Sequence, residues 1–164
     1  SIQGGVHFGM AANDAIVYAP INDMNDTRNG DMLDPKLARP GVHAIDMAER
    51  TVSWSHVQQD TCGEEREFCD PGVSAAVTAG PGVLFAGHLD GFVRAYAQQD
   101  GEVLWQYNTA TEHRSVNGLV GRGGGMSGAG PSLAANHLIV NSGYGLYFHE
   151  PGNLLLVFGL PNAP

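Results

Sequence analysis

Val93-Arg94-Ala95-Tyr96, with Val103 and Trp105 behind it, stands 51 residues downstream of Val42-His43-Ala44-Ile45, Val52 and Trp54. At that single offset the chain's two tryptophans fall on one another, together with two valines and an alanine. A weaker third copy, Leu155-Leu156-Val157-Phe158, lies 62 residues beyond Val93 to Tyr96. Such a period decides whether the chain is one core or a row of similar units.

Working outward from these runs, each copy is preceded by a short β-branched or aromatic segment: Ile16 to Ala19, Val83 to Ala86 and Leu138 to Asn141. A turn signal stands before each, namely Asn13-Asp14, Gly80-Pro81-Gly82 and Asn136. Further upstream lie three more strand-like segments, Val6 to Ala12, Ser74 to Ala79 and Pro131 to Ala135. The second copy is the clearest, with strands over Ser74–Ala79, Val83–Gly87, Phe92–Ala97 and Glu102–Asn108. Leu89-Asp90-Gly91 and Gln99-Asp100-Gly101 supply its turns, and Asp-Gly between apolar runs is a strong hairpin signal. No apolar pattern of helical period is sustained anywhere.

Four antiparallel strands every 50 to 60 residues is the grammar of a β-propeller blade. The expected fold is therefore all-β, with blade-like units at about 5–56, 73–109 and 130–160. The last copy stops after its third strand, at Phe158-Gly159-Leu160. This is expected to be the natural C-terminus, with the missing strand supplied by N-terminal sequence further upstream. Three blades cannot close a ring, so the chain is read as a piece of a larger propeller.

The 164 residues carry 8 basic and 17 acidic side chains, a formal charge of −9. An acidic chain without a basic cluster excludes nucleic acid and anionic membrane as partners. No apolar run has the length of a membrane-spanning helix. Glycine supplies 23 residues without a collagen period, which suits short strands and tight turns. Cys62 and Cys69 bracket an acidic loop, and their spacing suits a small disulfide ring, with two reduced thiols as the alternative. A disulfide would point to an oxidising compartment.

Ala44-x-Asp46 followed by Trp54, and Ala95 through Asp100-Gly101 to Trp105, resemble the tryptophan-docking repeat of pyrroloquinoline quinone (PQQ) propellers. In that repeat the aromatic packs against the neighbouring blade. This sequence departs from it with Glu49-Arg50 in place of Thr-Gly and Ala97 in place of Asp. The stretch Cys69-Asp70-Pro71-Gly72-Val73-Ser74-Ala75-Ala76-Val77-Thr78 carries a more specific likeness. So do Gly87-His88-Leu89-Asp90-Gly91, Val116-Asn117-Gly118, Gly123-Gly124-Gly125, Gly130-Pro131 and Asn141-Ser142-Gly143-Tyr144-Gly145. These, with Gly4-Gly5-Val6-His7-Phe8-Gly9-Met10-Ala11, resemble the C-terminal part of polyvinyl-alcohol-dehydrogenase-like quinoproteins.

That resemblance implies about three blades of an eight-bladed ring. It also implies oxidation of alcohol groups by hydride transfer to PQQ, with a calcium ion at the quinone and a cytochrome c as electron acceptor. In such enzymes the cofactor lies over the central channel, at the mouth lined by the loops that lead into the inner strands. Here those loops are 1–6, 56–73 and 108–130.

The candidate cofactor contacts are Asn117 as a hydrogen-bond partner, and Gly124 and Gly125 as points of close backbone approach. His7 at the start of an inner strand is a further candidate, with a structural histidine as the alternative. Tyr144 follows the second strand of its unit, on the other rim or in the channel. The scattered histidines have no zinc spacing, and no metal ligand is assigned. Asn22 to Asp34 fails the EF-hand pattern because Arg28 stands where glycine is required. Arg66 and the acids around it read as a solvated loop. The proton acceptor and the calcium ligands are expected in the missing blades, leaving this piece inactive alone. The competing reading is a non-catalytic propeller scaffold for protein partners, built from the same repeat.

Overall fold

A computed structural model of the chain describes residues 4–23, 37–63, 65–145 and 148–159. Among them, β1 (Ala11–Ala12), β2 (Ile16–Ile21), β3 (Gly41–Asp46) and β4 (Thr51–Val57) form one antiparallel sheet in that order. A second sheet repeats it with β5 (Thr78–Gly80), β6 (Val83–Gly87), β7 (Phe92–Ala97) and β8 (Val103–Asn108). Between this and the third unit lies a hairpin, β9 (Glu112–Arg114) and β10 (Val120–Arg122). The third unit has β11 (Ser132–Ala134), β12 (His137–Ser142) and β13 (Leu154–Gly159). The architecture is all-β, with four-stranded antiparallel sheets that have the form of blades. No closed ring is present among the described residues.

The first two units match in detail. Ala44 pairs with Trp54 and Ala95 with Trp105, and in each sheet a bulge follows immediately, at Ala44/Ile45 and Ala95/Tyr96. The turn between the last two strands is also the same. The Arg50 N–H donates to the Asp46 carbonyl and the Gly101 N–H to the Ala97 carbonyl, each at 2.9 Å. Gly101 sits at φ +76°, where glycine is at ease, and Arg50 is forced into the same region at φ 58°. The departure at Arg50 is thus absorbed by the backbone. Asn13 builds the first turn of its unit, its Oδ1 accepting from the N–H groups of Ala15 and Ile16 at 3.0 and 2.8 Å.

The innermost strands are much shorter than the sequence suggests. Val6 to Met10 and Ser74 to Val77 lie outside the ladders. These glycine-flanked stretches instead bond to one another across units. Val77 N–H donates to Gly9 O at 3.3 Å and Ala76 N–H to Gly128 O at 3.1 Å. The three units are thereby joined in chain order along their inner edges, β1 beside β5 and β5 beside β11.

Two apolar layers fill the spaces between units. Tyr18, Val42 and Ala44 of the first unit meet Leu84, Ala86 and Tyr96 of the second, with Val73 and Val77. Val93 of the second meets Leu138 and Val140 of the third, with Ala75, Met126, Phe85, Leu156 and Phe158. Trp54 closes the first junction. Its indole N–H donates to Gln98 O at 3.0 Å, and a Cβ on Gly101 would lie only 2.5 Å from its ring. Trp105 meets Phe158 edge-on at 5.1 Å between ring centres but borders an open apolar cavity of about 820 Å³.

Candidate functional site

Antiparallel alternation puts all the long connections at one end of the units. Residues 58–77 and 109–131 link successive units, and 88–91 and 143–153 join second strands to third strands. Hydrogen bonds weave these loops together. Leu89 N–H donates to Gly72 O, Met126 N–H to His88 O and Gly125 N–H to Glu150 O, at 2.9, 3.0 and 2.9 Å. Gly143 N–H donates to Gly125 O at 3.2 Å, so Tyr144 stands on this same rim, exposed.

Beneath the rim, at the first junction, lies a buried polar network. Arg94 and Asp90 form a two-pronged ion pair, Nη1 to Oδ1 at 3.1 Å and Nη2 to Oδ2 at 2.7 Å. Phe92 N–H donates to Asp90 Oδ1 at 2.9 Å, and the Thr61 hydroxyl donates to Oδ2 at 3.2 Å. Burial pushes the Asp90 carboxyl up, but His88 and the paired guanidinium outweigh it and hold it below its ordinary value. His88 is fully buried, with Nε2 2.8 Å from the Tyr96 hydroxyl. Burial, reinforced by the Arg94 charge, lowers its pKa to about 3. Burial raises that of Tyr96.

The disulfide loop reaches across to the third unit. Cys62 and Cys69 are bonded, their Cα atoms 5.5 Å apart. Arg66 donates to the Asp90 carbonyl at 2.9 Å and forms an ion pair with the Glu150 carboxylate. Arg122 meets the other oxygen of Glu150 at 3.2 Å. Arg66 is therefore not a solvated side chain but a tie between two units, because burial of Glu150 demands paired charge. The Glu150 N–H donates to Phe68 O at 3.0 Å, and the Phe68 and Phe148 rings stack 6.1 Å apart.

Asn117 sits exposed in the β9–β10 turn, its Oδ1 accepting from the Ser115 hydroxyl and from Leu119 N–H at 3.2 Å. Gly124 and Gly125 are buried. A Cβ on Gly124 would strike the Glu150 and Pro151 carbonyls, and one on Gly125 would lie 3.2 Å from Leu89 O. The close approach they permit is thus to the protein's own loops. His7 is exposed and hydrogen-bonds Ser74 Oγ through Nδ1 at 3.0 Å. Most of Asn22 to Asp34 lies outside the described residues. Among those described, no three His, Cys, Asp or Glu side chains are grouped to hold a metal ion.

Periodicity gave no hint of His149, which is buried at 7% exposure with both ring nitrogens unpartnered. It lies against Gly125 and Gly145, and a Cβ on the latter would be 2.7 Å from its own. Burial, with the nearby charge of His7, depresses its pKa to about 4.

No family model matches the chain. It is 40% identical over 167 residues to polyvinylalcohol dehydrogenase of a Pseudomonas species, a match covering 96% of this chain and 25% of that protein. The chain is homologous to a part of polyvinylalcohol dehydrogenase. The enzyme of that name from Sphingopyxis sp. strain 113P3 is 32% identical over 172 residues, covering 98% of the chain and 25% of the enzyme. The chain thus spans about a quarter of these relatives. Among solved structures, quinohemoprotein alcohol dehydrogenase from Comamonas testosteroni superposes with a TM-score of 0.56 at 21% identity, over 85% of this chain and 18% of that one. The computationally designed protein Ika4 gives a TM-score of 0.52 at 11% identity, over 93% of this chain and 64% of that one. Both likenesses are of fold alone. No helix among the described residues is long and apolar enough to cross a membrane.

Proposed function

We propose that this chain is a segment of a PQQ-dependent alcohol dehydrogenase, periplasmic or secreted, whose blades at about 5–56, 73–109 and 130–160 stack with further blades into a ring. The homology to polyvinylalcohol dehydrogenase across 96% of the chain carries the reading. An unfinished surface supports the part about further blades. Leu155 and Val157 occupy the repeat positions of Val93 and Ala95. The latter are 0% and 4% exposed beneath the third unit, whereas Leu155 and Val157 are 64% and 58% exposed. A hydrophobic face at a position that is buried in the neighbouring copy is the mark of a missing neighbour.

Bound PQQ supplies a two-electron acceptor for hydride from an alcohol carbon. On this reading the loop end described above forms part of the mouth. His7, Tyr144, His149 and the Gly124-Gly125 backbone lie on that end, and Asn117 at the tip of its hairpin flanks it. The unpaired nitrogens of His149 suit a ligand rich in oxygen atoms. The calcium ligands and the proton acceptor belong to the other blades, and a cytochrome c takes the electrons.

The test is reconstitution of the full-length protein with PQQ and calcium. Dye-linked oxidation of alcohols is the expected outcome. Absence of both quinone binding and activity would transfer the protein to the class of non-catalytic scaffolds. The 164-residue segment alone is expected to bind the quinone feebly, read by quenching of tryptophan fluorescence.

A further inference from the structure

Seven histidines occur in the chain, and five of them have a ring nitrogen that is hydrogen-bonded. His7 meets Ser74 Oγ at 3.0 Å, His43 meets Ser55 Oγ at 2.8 Å, and His88 the Tyr96 hydroxyl at 2.8 Å. His137 meets Ala135 O at 2.8 Å and His113 the Thr111 hydroxyl at 3.4 Å. His56 packs 4.9 Å from the Tyr96 ring. His149 alone is buried with neither nitrogen satisfied. Native proteins rarely leave such a group orphaned, and the exceptions mark places where something else binds.

Its location narrows what that is. His149 is not on the open apolar face of the third unit. It stands where all three units converge, with His7 of the first unit close enough for its charge to be felt, and Gly125 of the connection from the second unit beside it. The bare edges of Gly125 and Gly145 make room for the His149 Cβ. At neutral pH the ring is uncharged, offering one N–H and one lone pair. That combination pairs with carbonyl, carboxylate or hydroxyl oxygens and offers nothing to an apolar guest.

We infer that His149 is a ligand-contacting residue, holding an oxygen substituent of the molecule bound at the loop end of the three units. The inference rests on the alcohol-dehydrogenase reading above, in which the oxygen belongs to either the quinone or the alcohol.

Two measurements on the full-length protein test it. The first follows the ¹⁵N signals of the His149 ring on separate addition of PQQ and of an alcohol. A shift with PQQ assigns the contact to the quinone, and a shift only with alcohol assigns it to the substrate. The second compares wild type with His149→Leu and His149→Asn. Binding of the ligand so identified is expected to weaken about tenfold in His149→Leu, the loss of roughly one good hydrogen bond, and to be partly restored in His149→Asn. The melting temperature of the ligand-free protein is expected to hold or rise in His149→Leu, since an unpaired polar group is removed; a purely structural histidine would lower it. Ring signals unmoved by either ligand, in protein that binds quinone, overturn the assignment of His149 alone. Wild-type protein that binds neither ligand overturns the functional reading and this inference with it.

Discussion

The junction between the first and second units is sealed at its outer end, and the junction between the second and third is open there. Both are laid out by the same repeat, with an alanine facing a tryptophan and a bulge after it. Trp54 finds a carbonyl and a bare glycine on the next unit's turn. Trp105 finds aromatic rings on one side and an apolar cavity on the other. The first junction also encloses the charged Asp90–Arg94 pair and the His88–Tyr96 contact, whereas the second sets an apolar layer beside an uncharged buried hydroxyl pair, Thr109 and Ser142 at 2.6 Å. The tryptophan is thus only half of a lock, and the neighbour's turn is the other half.

The most damaging change to this contrast is removal of Asp90. Asp90→Ala leaves the Arg94 guanidinium buried without its partner and is expected to cost about 3–5 kcal/mol in urea unfolding. The double variant Asp90→Leu with Arg94→Leu recovers much of that loss, because two charges no longer need each other. Next comes Trp54→Ala, with an expected cost of about 3 kcal/mol. Trp105→Ala is expected to cost about 1 kcal/mol, since less of that ring is covered. Equal losses would mean that the docking turn contributes nothing.

Acid is expected to loosen the first junction before the second, because burial lowers the pKa of both His88 and His56 there. His88 stays unprotonated in the fold down to about pH 3, whereas in the unfolded chain it takes up a proton near 6.5. Between those values the unfolded state binds the extra proton, so stability is complete above 6.5 and falls as the pH drops. The slope approaches about 1.4 kcal/mol per pH unit for each such histidine. His149 adds to it over the shorter range down to about 4. Amide exchange at pH 5 is expected to quicken in β6 and β7 before β12 and β13, and His88→Gln to flatten the pH dependence. The smallest expected effect is a gain. Arg50→Gly relieves the left-handed backbone that Gly101 occupies freely, raising stability by about 0.5–1 kcal/mol on thermal melting.

The repeat was legible because its signals are local. Asp-Gly turns, paired tryptophans and alternating apolar runs mark β2 to β4, β6 to β8, β12 and β13 to within a residue or two. The inner strands were overextended, because Val6 to Met10 looks like strand but trades ladder bonds for single bonds to the next unit. The β9–β10 hairpin was missed although Asn117-Gly118 is a hairpin signal, since Glu112-His113-Arg114 shows no apolar alternation. At the loop end little could be foreseen. Arg66, Glu150 and His149 owe their burial to loops folding over one another from different units, and no periodicity records that. Tolerance of close approach is legible at the glycines at 123–125, but what approaches them is the protein itself: Thr109 and Ser142 at Gly123, Glu150 and Pro151 at Gly124, and Leu89, His149 and Glu150 at Gly125.

Strand β13 has a partner on one side only among the described residues. Its free edge is a row of amide donors and carbonyl acceptors beside the uncovered Leu155 and Val157. Such an edge recruits any extended chain of suitable pattern, a second molecule of the same segment included. Produced by itself, the segment therefore calls for a capping peptide or a charged edge substitution to remain dispersed, and a synthetic strand that restores its dispersion would reveal which sequence belongs there.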